Sequence, residues 1–123
     1  MSNIIQKEFG TLMDARNRNT GMPYSDWRKD MLNQCGLILM CASEKNHPNQ
    51  RVIYFFPYSE SEDQKYMRTS FGQLIQTENG CELRTKNSEY QFAFDGYKLN
   101  QQQKNLLCIN VIGEKIESVH ETI

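Results

Sequence analysis

Apolar residues near the start of the chain recur with a helical period. Ile5, Phe9, Leu12 and Met13 fall at i, i+4, i+7 and i+8. With Ser2 or Asn3 as cap, this spacing predicts an amphipathic helix over residues 2–15, weakened in its middle by Gly10 by up to ~1 kcal/mol. The polar stretch Arg16–Pro23 ends it with a glycine and a proline. Ser25 then caps a short second helix through about Gln34, which puts Trp27, Met31, Leu32 and Cys35 on one face.

The pattern next changes from a stripe to continuous apolar runs. Gly36–Ala42 is apolar on both faces, as a buried strand is, and Arg51–Tyr58 is rich in β-branched and aromatic residues. The two pair as a hairpin around the polar residues 43–50, and Pro57 marks an edge or an exit. Ser59-Glu-Ser-Glu62 matches a capping box, with Glu60, Glu62 and Asp63 at the positive end of a helix dipole. Met67, Phe71, Leu74 and Ile75 supply the buried stripe of that helix, and Asn79-Gly80 its stop. Beyond it, Cys81–Lys86 and Glu89–Phe94 read as strands. Asp95-Gly96 is a hairpin turn into Tyr97–Leu99, Asn100–Lys104 a loop or helical turn, and Leu106–Ile112 a central strand.

The predicted order is α-α-β-β-α-β-β-β. The expected fold class is α+β, a single domain over residues 1–123 whose antiparallel sheet of about five strands carries helices on one face, with 114–123 as a tail. A chain of 123 residues fits one domain and can bury roughly two thirds of its surface. The mean hydropathy of −0.70 comes from amide side chains more than from charge, since charged residues are only 24%.

Charge narrows the function classes. Fourteen Lys and Arg against fifteen Asp and Glu leave a net charge of −1, without the concentrated positive field that a sequence-independent nucleic-acid binder needs. The first eight residues carry no leader pattern and no apolar run is long enough to span a bilayer, so a cytoplasmic protein is expected, with no membrane partner. Cys35, Cys41, Cys81 and Cys108 form no C-x-x-C pair. Three of them sit in apolar runs, which suits reduced, buried thiols.

Each candidate chemistry has a plain structural counterpart. Two histidines and four scattered cysteines give no metal-ligand spacing, and the seven glycines form no phosphate cradle, so no cofactor and no metal are expected. A thiol nucleophile would have to come from tertiary assembly, Cys81 with His47 or His120 being the best combination. Glu82 beside Cys81 works against a thiolate. Glu60, Glu62 and Asp63 are accounted for by helix capping.

The segment holding Arg16, Arg18, Tyr24, Trp27, Arg28 and Lys29 stands apart. Tyr, Trp and Arg carry most of the energy at protein interfaces, and basic residues interleaved with aromatics also suit nucleic acid. These six are the candidate partner-binding residues. An edge strand, Tyr54–Tyr58 or Tyr90–Phe94, offers a route to a homodimer. The sequence therefore points to a small non-enzymatic protein-binding module of inhibitor, immunity or adaptor type, in the style of phage or plasmid accessory proteins. A nucleic-acid-associated regulator using Arg16–Lys29 and a small Cys/His enzyme are the alternatives.

Overall fold

Residues Ile4–Asn17, whose spacing predicts a helix, form instead one long bent strand, β1. A computed structural model of the chain describes residues 4–42, 50–60 and 64–113. After β1 come a short 3-10 helix (Trp27–Met31), β2 (Cys35–Ala42), β3 (Gln50–Pro57), β4 (Met67–Arg68), β5 (Gly72–Thr77), β6 (Gly80–Thr85) and β7 (Ser88–Ala93). A 3-10 turn (Gly96–Lys98) then leads into α1 (Gln101–Ile112). The architecture is mostly antiparallel β. It replaces the expected α+β arrangement of N-terminal helices on a five-stranded sheet: among the described residues there is a seven-stranded sheet and one α-helix, near the C-terminus.

The strand order is β2-β1-β7-β6-β5-β3-β4, and an additional β2–β3 pairing closes the sheet on itself. The result is an antiparallel barrel in which consecutive strands pair, except that β4 and β5 both pair with β3, and β7 returns to β1. β1 serves two partners. Ile4–Thr11 pairs with β2, and Thr11–Asn17 pairs with β7. A register shift between Leu12 and Asp14 makes the bend and leaves Met13 exposed. Gly10 sits at the crossing: a Cβ there would lie 2.0 Å from the Ala93 carbonyl oxygen, so only glycine lets the two strands come this close.

The same bulge explains why β1 resembles a helix in sequence. Phe9 packs outside the barrel beneath α1, whereas Leu12 and Ala15 face the interior. With both faces covered and two register shifts, between Ile4 and Gln6 and between Leu12 and Asp14, the two-residue alternation of a strand is lost.

β4 and β5 act as one bulged strand against β3. Tyr54↔Arg68 and Phe55↔Met67 share one register, while Arg51↔Gly72 and Gln50↔Gln73 are offset by one residue. Thr69 bridges the two. Its amide donates to the Ile53 carbonyl at 2.9 Å, and its hydroxyl accepts from the Ile53 amide at 2.9 Å in place of a backbone carbonyl. Of the helix expected after Ser59, the described residues 64–77 hold β4 and β5 and no helical turn. Glu62 of its capping box and Asp63 of its first turn lie outside the described residues. Asn79-Gly80 turns β5 into β6 through the Thr77↔Gly80 pair, and Gly80 keeps a negative φ.

The interior holds Leu12, Ile38, Met40, Ile53, Phe55, Met67, Leu83 and Phe92, with the Phe55 and Phe92 rings edge to face at 5.7 Å. Outside, α1 lies over β2, and Leu37, Leu39 and Cys41 pack with Phe56, Leu99 and Leu107. β2 is covered on both faces, so its continuous apolar run reads correctly as a buried strand. Leu106–Ile112, expected as a central strand, is the second half of α1. A true capping box starts this helix: Gln103 N–H donates to the Asn100 side chain, and the Gln103 side chain accepts from the Asn100 amide. Gly113, at φ 72°, ends it. Tyr97–Leu99 forms no strand, because Asp95 and Gly96 lack the positive φ that the expected type I′ turn requires.

Candidate interaction patch

The chain between β1 and β2 crosses one end of the barrel and is tied to it at several points. Asp26 caps the 3-10 helix by accepting from the Arg28 amide at 3.0 Å. That helix is five residues long, not the Ser25–Gln34 helix expected, and it drives Met31 into the interior cluster. Asn33 takes a left-handed φ of 64°, and its amide donates to the Leu12 carbonyl at 2.8 Å.

These constraints gather three of the six sequence-predicted residues. The Arg28 guanidinium lies 4.0 Å from the Tyr24 ring centroid and 5.2 Å from that of Trp27. Arg28 Nε donates to the Tyr90 hydroxyl at 3.1 Å, and Nη1 donates to Asp26. The Tyr24 hydroxyl is itself fixed 2.5 Å from Ser88 Oγ. Trp27 remains 48% exposed, and Met22 nearby in sequence is 64% exposed.

The other three residues sit around this centre. Arg16, on β1, donates from Nε to Asp14 at 2.6 Å and from Nη1 to the Gly21 carbonyl at 3.1 Å. Asp14 raises the Arg16 pKa, first through that hydrogen bond and then through its charge. Arg18 Nη1 donates to the Thr85 carbonyl at 2.9 Å. Lys29 is exposed on the 3-10 helix. Arg16 and Arg28 each face a carboxylate on their own segment, so much of the patch's positive charge is neutralised locally.

Sequence reasoning missed Asp26, Ser88 and Tyr90 as members of this group. Asp26 carried a local signal, an acidic residue two positions before Arg28. Ser88 and Tyr90 carried none, because β7 brings them in from more than sixty residues away.

Of the residues named for the thiol-based alternative, Cys81 is among those described. Cys81 is buried on β6, and its pKa is pushed up to about 12, first by burial and then by Glu8. The opposing carboxylate is Glu8, not the sequence neighbour Glu82. His47 and His120 lie outside the described residues. Burial also raises the pKa of Cys35, whose Sγ lies 3.9 Å from Asp95 Oδ1. Among the described residues, no group of three His, Cys, Asp or Glu side chains could hold a metal ion.

Two open grooves flank Tyr58 and Ser59. One, of about 340 Å³, runs beside Leu106, Leu107 and Asn110 of α1, and the other, of about 280 Å³, beside Asp30, Met31 and Gln34. No helix among the described residues is long and apolar enough to cross a membrane. Comparison with protein-family models, with curated proteins and with solved structures gives no match to this chain.

Proposed function

We propose that this protein is a non-enzymatic binding module that docks another protein through the platform of Tyr24, Trp27 and Arg28. One observation carries the reading: a guanidinium held by Asp26 and Tyr90 against the Tyr24 and Trp27 rings, with Trp27 left half exposed. Side chains already held in place lose little freedom on binding, and Trp, Tyr and Arg are the residues that anchor interfaces. The carboxylates facing Arg16 and Arg28 favour a protein partner over a phosphate backbone, which rewards unpaired cations. Burial of Cys41, Cys81 and Cys108 as small apolar side chains supports a reducing, cytoplasmic setting.

The test is affinity purification of the tagged chain from its native cells, with nuclease treatment and with low and high salt. A stoichiometric protein should be retained through both treatments. Trp27→Ala and Arg28→Ala should each weaken it by about 2 kcal/mol or more, roughly thirtyfold. Partners lost with nuclease would move the function to nucleic acid, and a partner indifferent to both substitutions would refute the platform.

A further inference from the structure

Three segments meet at the end of the barrel that carries Tyr24, Trp27 and Arg28: the end of β1, the crossing chain with its 3-10 helix, and the β6–β7 hairpin. Hydrogen bonds join them. The Arg18 amide donates to the Asn87 carbonyl at 2.8 Å, Arg18 Nη1 to the Thr85 carbonyl at 2.9 Å, and Arg28 Nε to the Tyr90 hydroxyl at 3.1 Å. Over residues 14–34 and 84–89 these segments hold six Lys and Arg against four Asp and Glu, an excess of +2 in a chain whose net charge is −1. The rest of the chain therefore stands at −3.

What that excess can do depends on which charges are still open. Arg16 is paired with Asp14, Arg28 with Asp26, and Arg84 with Glu89 at 3.8 Å. Arg18, Lys29 and Lys86 are exposed, and among the described residues none of them has a carboxylate within ion-pair distance. Of the four carboxylates, Asp30 alone is left to oppose them. This end of the barrel thus has a half-exposed aromatic centre in Trp27, with Met22 exposed nearby in sequence, and open cations on all three segments that surround it.

We propose that the protein docked by this platform is acidic, with carboxylates that meet Arg18, Lys29 and Lys86 around Trp27. The inference rests on the protein-binding reading of the platform. Complementary charge at an interface rim steers encounter and turns away wrong partners, while the aromatic centre supplies the grip. The −3 over the rest of the chain repels an acidic partner elsewhere, so the same charges orient it toward this end. Separate cations interspersed with carboxylates suit the separate carboxylates of a folded protein. A nucleic-acid strand, with a phosphate at every residue, would also press against Asp14, Asp26, Asp30 and Glu89.

Trp27 is the sole tryptophan, so its emission reports occupancy of the platform directly. Three probes of about twelve units each are titrated into the full chain at about 20 mM salt: an Asp/Glu-rich peptide, a Lys/Arg-rich peptide and oligo-dT. The acidic peptide alone should move the emission, and its midpoint should rise about tenfold or more by about 300 mM salt. Arg18→Gln, Lys29→Gln and Lys86→Gln combined should raise the midpoint about tenfold at low salt, with circular dichroism showing the fold retained. The pair Lys29→Gln and Lys86→Gln, which leaves the Arg18 hydrogen bonds in place, should give part of that loss. Lys104→Gln, on α1, should change nothing. Equal response to the acidic and basic peptides, a response to oligo-dT as strong as to the acidic peptide, or no response to any probe overturns the acidic partner. So does a triple variant that binds as well as the native chain. A protein retained from cells that needs Trp27 and Arg28 yet ignores the triple substitution would leave the platform standing and remove this proposal alone.

Discussion

Asp95 keeps its charge in a largely buried position because its donors outweigh the cost of burying it. Burial alone would raise its pKa, but hydrogen bonds from Lys98 at 2.8 Å and from Thr11 at 2.8 Å prevail and lower it. A carboxyl whose folded pKa lies below its unfolded pKa stabilises the fold above the unfolded value, and that contribution disappears as pH falls through the folded value. Asp95→Ala should therefore lower stability near neutral pH by about 1–3 kcal/mol, since the buried Thr11 hydroxyl loses its acceptor. The gap to the native protein should narrow at acid pH. Thermal melts between about pH 7 and pH 2 decide it, and a gap that does not depend on pH would contradict the account. None of this shows in the sequence, where Asp95-Gly96 has the composition of a hairpin turn. What places Asp95 is Thr11, reached across 84 residues. The cluster of Tyr24, Trp27 and Arg28 was more legible at this scale, because its members are neighbours in the chain.

At the scale of elements, the strands covered on both faces separate the readable from the unreadable. β2 is a continuous apolar run and β3 is rich in β-branched and aromatic residues, both too short for helices, and both appear where expected. β1 and α1 exchange identities for one reason: each is apolar in more than one direction, so periodicity cannot decide between strand and helix. Capping chemistry misleads in the same way. Ser59-x-x-Glu62 has the form of a capping box, yet the described residues 64–77 expected as its helix hold β4 and β5 instead, whereas Asn100-x-x-Gln103 makes one. Local signals of about 1 kcal/mol yield when a barrel position buries the same side chains better. The β4–β5 bulge gives this a sharp test. Thr69→Val keeps the shape of the side chain but leaves the Ile53 amide without its acceptor, so stability should fall by about 1–3 kcal/mol. Thr69→Ser should lose much less. Urea midpoints compare the three proteins, and a valine variant as stable as the native chain would show that the hydroxyl contributes nothing to the ladder.

For the whole molecule, closure is the property that matters most. The register of a closed barrel leaves no slack, so a single methyl group at a crossing is felt around the ring. Gly10→Ala places a Cβ 2.0 Å from the Ala93 carbonyl and 3.1 Å from Ile38 Cδ1. It should cost about 3 kcal/mol or more, with amide exchange accelerating first where β1 meets β7. Uniform acceleration across β2 and β3 instead would indicate that the seam is not the site of strain. Closure was also the least legible feature. It depends on β1 being one strand with two partners, and no window of sequence contains both.

The bend in β1 also sets the order of events during synthesis. Its first half meets β2 at separations of 24 to 37 residues, from Thr11↔Cys35 to Ile4↔Cys41. Its second half waits for β7, at separations of 71 to 82 residues, from Asn17↔Ser88 to Thr11↔Ala93. The longer loop adds only about 1 kcal/mol of closure entropy. Time is the larger burden. At roughly 5–20 residues per second, a ribosome needs about 4–14 s to make the intervening chain. Through those seconds Thr11–Asn17 offers the backbone donors and acceptors of an open strand edge to any other nascent chain. The finished barrel hides that edge; the growing polypeptide has to survive with it uncovered.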